Sequence, residues 1–348
     1  MLLVNTKVLK ESNNLLRSQR EVHTSDSIFS FTLETMTESN KIIRLSLQEI
    51  YTTNSGYMNE GFVKEFIDKF DFKEFVGKII SLFIKGIEKI FKQFKSIIAK
   101  YFSNPDSTIK KYEQKIKDAT FDLDEDIEHF RYTLLDKDIP SPSLKSIFIE
   151  EYDSLLDKLK KLSSGESKPS IISKLGALND EVSHNTFLSD ENLIRKRVLG
   201  LSDYEDPVTS EMYIPRLYST FRNGILDPIK TPIAPVEYKE ALSRYNNRKT
   251  LISSIEKSKN DIIKSSSDIQ KKIEKITPKD IMEKYVPIDY DVEFALDRVL
   301  KTECGLLQKY CDIVTTAFGM KLEAAKEALI QDKKVLLYVI GEIIKREG

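Results

Sequence analysis

Between Phe62 and Phe102 apolar residues recur at 62, 63, 66, 67 and 70, then at 72, 75, 76, 79, 80, 83, 84, 87, 90, 91, 94, 97 and 98. Intervals of three and four dominate, which is the helical period held far beyond the length of a strand. The phase slips near Phe70–Phe72, so the spacing predicts two helices with a break there and Asp71 as the cap of the second. Over 78–100 the polar side is basic: Lys78, Lys85, Lys89, Lys92, Lys95 and Lys100 face Glu88 alone, a local charge of +5. The apolar side is rich in aromatics, at Phe70, Phe72, Phe75, Phe83, Phe91 and Phe94. Left bare, such a side exceeds the few hundred Å² of apolar patch that soluble monomers expose. Something must cover it: the rest of the chain or another subunit, a different partner, or a membrane surface. The candidate contact residues are Phe75, Phe83, Phe91 and Phe94, with Lys85, Lys89, Lys92 and Lys95 on the rim.

The rest of the chain reads as mostly α, a multi-helix assembly with a minor strand component near 121–135 and 211–222. Residues 1–59 are polar and mixed, with apolar clusters at Ile28–Leu33 and Ile42–Ile50, and read as a weakly structured or partner-dependent leader. Residues 60–102 hold the Phe/Ile/Lys helices. Residues 103–165 form a small mixed segment with helices at Ser107–Lys117 and Leu144–Leu162. Residues 166–235 are a loop-rich connector holding six of the eleven prolines, entered through the Ser/Gly-rich linker Ser163–Ser170. Residues 236–348 are helical. A long polar helix runs to Ile276, Thr277-Pro278-Lys279-Asp280 ends it and starts the next, and Val292–Phe318 and Lys321–Lys345 follow as two helices parted by Gly319.

Chemistry is scarce in this pattern. The 348 residues carry 54 Lys plus Arg against 55 Asp plus Glu, a net −1 that argues against a dedicated nucleic-acid binder. Twelve glycines are about half the usual share of roughly 7%, and no phosphate loop, nucleophile elbow or dinucleotide fingerprint is present. The acidic run Asp122–Glu128 fails as a calcium loop, because Ile127 and Thr133 stand where Gly and Glu are needed. His23, His129 and His184 have no metal spacing, and Cys304 and Cys311 read as small buried apolar side chains. No cofactor or metal is expected. The start of the chain lacks the apolar core of a secretion signal, and no stretch reaches the roughly 20 apolar residues of a membrane span.

Several short pieces share an order with a known group. A polar leader precedes Asn59-Glu-Gly-Phe-Val63, then come the Phe/Ile/Lys helix and Ile109-Lys-Lys-Tyr-Glu-Gln-Lys-Ile116. Phe130-Arg-Tyr132 follows, and Tyr218-Ser-Thr-Phe-Arg-Asn-Gly224 precedes the long Lys/Ile helix. As a layout over 59–348 this resembles virion structural proteins of large tailed bacteriophages, including those inside the head. The resemblance implies a non-enzymatic capsid-associated or internal head protein, made in the host cytoplasm and not secreted. Its partners would be other virion proteins or copies of itself, with DNA contact incidental; it transfers no site residues. The alternative is a membrane-surface protein using 62–102. A third reading is an enzyme whose acid–base pair converges only in space and leaves no mark on the sequence.

Overall fold

A computed structural model describes residues 27–52, 70–102, 106–124, 128–130, 145–162, 166–183, 228–285 and 288–347. In chain order these form α1 (Ile28–Thr52), α2 (Phe72–Phe102), α3 (Asp106–Asp118), β1 (Glu128–Phe130), α4 (Lys145–Lys160) and α5 (Lys168–Ser183). They continue with β2 (Pro228–Lys230), α6 (Pro235–Asn246), α7 (Arg248–Lys275), α8 (Pro278–Tyr285) and α9 (Tyr290–Glu347). The fold is mostly α, as the periodicity predicts.

The organising element is α9, 58 residues long and therefore about 87 Å at 1.5 Å per residue. Helices α1, α2, α3, α5 and α6 all pack on it. From Ile313 to Met320 every residue is buried, which requires neighbours on all sides of the helix. Two apolar clusters share α9. The larger joins α1, α2, α4, α5, α7 and α8 to α9 as far as Ile330. The smaller joins α3, α6, Leu123 and Ile233 to Val335–Ile343.

Local signals explain most of the ends. Asp71 Oδ1 accepts the Glu74 amide at 3.0 Å, capping α2 as its sequence suggests. At α8, Thr277 Oγ1 accepts the Asp280 amide at 3.1 Å while Asp280 Oδ2 accepts the Thr277 amide at 2.9 Å, a reciprocal capping box. Asp289 Oδ1 accepts the Val292 amide at 3.2 Å to open α9.

Four expectations change. Gly319 parts nothing: α9 runs through it, because the glycine serves a close helix crossing rather than a stop. A Cβ built there would sit 2.9 Å from Thr32 Cγ2 of α1. Residues 28–52, placed in the weakly structured leader, are a 25-residue helix packed on α2 and α9. The long polar helix is two, α6 and α7, broken at Asn247. The linker is shorter than Ser163–Ser170, since α5 begins at Lys168. The strand component is an antiparallel pair of β1, inside 121–135, with β2, extended by the bridge Leu123↔Ile233. Residues 60–69 and 211–222 lie outside the described residues.

Candidate functional site

Helix α2 settles which source covers its aromatic side. Phe75, Phe83, Phe91 and Phe94 are all buried, with Phe94 fully so, and they belong to the larger core of this chain. The cover comes from α1, α7 and α9. These four phenylalanines are therefore not surface contacts for a partner or a bilayer; the sequence marks the buried face but not what buries it. Lys85, Lys89, Lys92 and Lys95 are exposed along the opposite side. Lys89 reaches Glu38 of α1 at 3.1 Å and lies 5.2 Å from the Phe31 ring centre, and Lys95 reaches Glu256 of α7 at 3.9 Å. Lys85 and Lys92 make no ion pair among the described residues.

Burying a helix all round forces its polar residues inside, and α9 holds four of them, Glu323, Lys326, Asp332 and Lys333, by specific devices. Arg244 of α6 grips the fully buried Asp332 with its Nε and Nη2 groups, at 3.2 and 2.9 Å to Oδ1. Glu323 Oε2 accepts the amide of Ile28 at 3.0 Å, placing a carboxylate at the positive end of α1. Lys326 lies between Glu323 at 3.0 Å and Glu327 at 2.8 Å. Ten residues after Glu323, the Lys333 ammonium donates to the Tyr101 carbonyl in the last turn of α2. One helix thus caps the start of α1 and the end of α2. The partners that Asp332, Lys333 and Glu323 meet on other helices lie 88 to 295 positions away, so no local pattern announces them.

The groups with the most displaced proton affinities lie where α9 meets α4. Tyr310 donates to Glu151 Oε2 at 2.8 Å, and Tyr152 donates to the Ile276 carbonyl at 2.7 Å. Burial, and secondarily the charge of Glu151, pushes Glu303 up to about 8, and its Oε1 has no hydrogen-bond partner among the described residues. Burial first also raises both tyrosines and both thiols, Cys304 and Cys311. At neutral pH Glu303, the two tyrosines and the two thiols are protonated and poorly nucleophilic inside packing. A small cavity between α1, α2 and α9 is lined by Thr35, Ser39, Phe83, Gln308, Asp312 and others. There Asn40 and Gln308 donate to Asp312 at 3.1 and 3.0 Å, while burial lifts the carboxyl to about 6.

Among the described residues no group of three His, Cys, Asp or Glu is placed to hold a metal, and no helix is long and apolar enough to cross a membrane. His129 lies on β1; His23 and His184 fall outside the described residues. Comparison with protein-family models, curated proteins and solved structures gives no match.

Proposed function

We propose that the chain is a non-enzymatic structural component of a phage virion, internal to the head or capsid-associated, acting through helix-mediated contacts with other virion proteins. The observation that carries this reading is α9: a rod of about 87 Å, pinned to α6 by the Arg244–Asp332 ion pair and to α1 and α2 by hydrogen bonds at Glu323 and Lys333. Such a frame holds surfaces at fixed separations, which is what an assembly component needs. Glu303 and the two thiols are enclosed by packing and held protonated at neutral pH, which supports a place in the frame. The order of sequence pieces over 59–348 supplies the phage context. Mass spectrometry of gradient-purified particles, scored for this chain and its mature N-terminus, tests the reading. The expected result is the chain at a fixed ratio to the major capsid protein; its presence in the lysate but not in the particles contradicts it.

A further inference from the structure

Charge in this protein is segregated in a way that the net value hides. Helix α2 carries seven lysines against two glutamates, and α7 carries eight cations against four carboxylates. Together they hold +9 in a chain of net −1, leaving −10 for all other residues. The two helices are neighbours and antiparallel: Gln270 lies against Gly77, Lys259 over the Phe91 ring at 5.0 Å, and Glu256 pairs with Lys95. That register sets Lys78 level with Lys271, Lys85 with Lys264 and Lys92 with Lys257. All six are exposed. Each row repeats every seven residues, about 10 Å, and packed helix axes stand about 8–10 Å apart. The result is a two-by-three lattice of ammonium groups roughly 20 Å long. The exposed carboxylates of the two helices are fewer, with Glu88 and Asp261 at mid-height and Glu74 and Glu274 near the Lys78–Lys271 end, and Glu256 is already tied to Lys95.

We infer that this lattice binds the phosphate backbone of duplex nucleic acid, without sequence preference. Lysine supplies point charges that suit phosphate, and no arginine or amide in the lattice is set for bidentate reading of bases. No exposed large apolar side chain among the described residues lies on α2 or α7. The face therefore has no rings on which single-stranded bases stack, and no anchor that a surface-bound helix sinks into lipid. Lysine is also depleted from protein–protein interfaces. Straight double rows on two antiparallel helices suit a rod-like polyanion that carries a charge about every 1.7 Å of its axis.

Fluorescence anisotropy of the full chain with a labelled random-sequence duplex tests this, beside a single-stranded oligomer and phosphatidylserine vesicles. Six phosphate contacts give a log–log salt slope near −5, so affinity falls about 1,000-fold from about 50 to about 200 mM salt. Lys85→Glu, Lys92→Glu and Lys264→Glu together are expected to weaken duplex binding by about 100-fold or more and to cut the slope by about 3. The Gln versions weaken it less. Reversal of the exposed Lys110 and Lys309, outside the lattice, leaves binding unchanged. A melting curve matching the parent's confirms that each variant is folded. No duplex binding at low salt, binding untouched by the lattice reversal, or a preference for vesicles or single strands would overturn the inference. The readout uses purified protein, so its failure is distinct from absence of the chain from particles.

Discussion

Gly319 of α9 lies directly against Thr32 of α1: a single added methyl at 319 would stand 2.9 Å from Thr32 Cγ2 and closer still to its Oγ1. Thr32 is fully buried, and its hydroxyl donates to the Ile28 carbonyl at 2.7 Å, so it has little room to turn away. Gly319→Ala is expected to destabilise the fold by about 1–3 kcal/mol, although alanine is the better helix former by about 1 kcal/mol. Gly305→Ala, in the same helix with nothing near its Cβ position, is expected to stabilise instead. Denaturant melts of the pair check this, and adding Thr32→Ala to Gly319→Ala is expected to restore part of the loss.

The Arg244–Asp332 pair is half open on the arginine side and closed on the other, with Asp332 fully buried. Arg244→Met strands that carboxylate, at an expected cost of about 3–5 kcal/mol. Asp332→Asn, which keeps the size of the side chain, is expected to cost less. A cycle with Arg244→Met/Asp332→Leu, followed by urea unfolding, is expected to recover most of the loss, since removing both charges avoids the stranded one.

Gln331 is buried on α9, and neither amide atom finds a hydrogen-bond partner among the described residues. Its amide carries an uncompensated desolvation cost, so Gln331→Met is expected to stabilise the protein by about 1–2 kcal/mol. A raised urea midpoint at unchanged slope is the expected signature.

Glu303 gives the fold a pH dependence. Its carboxyl binds its proton more tightly in the folded chain, near 8, than its ordinary 4.5. Its contribution is therefore fully present below about 4.5 and is lost as pH rises toward 8, at up to about 1.4 kcal/mol per pH unit. Asp297 and Asp312, raised to about 6 by burial, act in the same direction in a lower window. Thermal melts from about pH 6 to about pH 8 are expected to fall more steeply for the parent than for Glu303→Gln. Parallel pH profiles would show that Glu303 is ionised in the fold.

What the sequence announces is what repeats locally. Helix α2 is legible because its period persists for some thirty residues, and the Asp71 and Thr277–Asp280 caps because cap chemistry is short-range. Helix α1 is not, because between Ile28 and Ile43 the side it docks is mainly Thr32, Thr35, Met36 and Ser39, which leaves its buried apolar residues too sparse to mark a stripe. Gly319 reads as a stop because a helical glycine looks alike at an end and at a close crossing. The charges buried along α9 and the level match of Lys78, Lys85 and Lys92 with Lys271, Lys264 and Lys257 depend on register between distant segments. No window of sequence contains them.

The central structural claim is that this chain alone covers the aromatic side of α2 and turns its lysines outward. Thermal unfolding of the isolated, monomeric protein tests it most directly, with Phe83→Ala/Phe91→Ala beside Lys85→Glu/Lys92→Glu. Each phenylalanine truncation is expected to cost about 3–5 kcal/mol, lowering Tm by about 10 °C or more, while the lysine reversal leaves Tm within about 1 °C because exposed charges contribute little. A phenylalanine variant that melts like the parent would contradict the claim, since another molecule would then have to supply the cover.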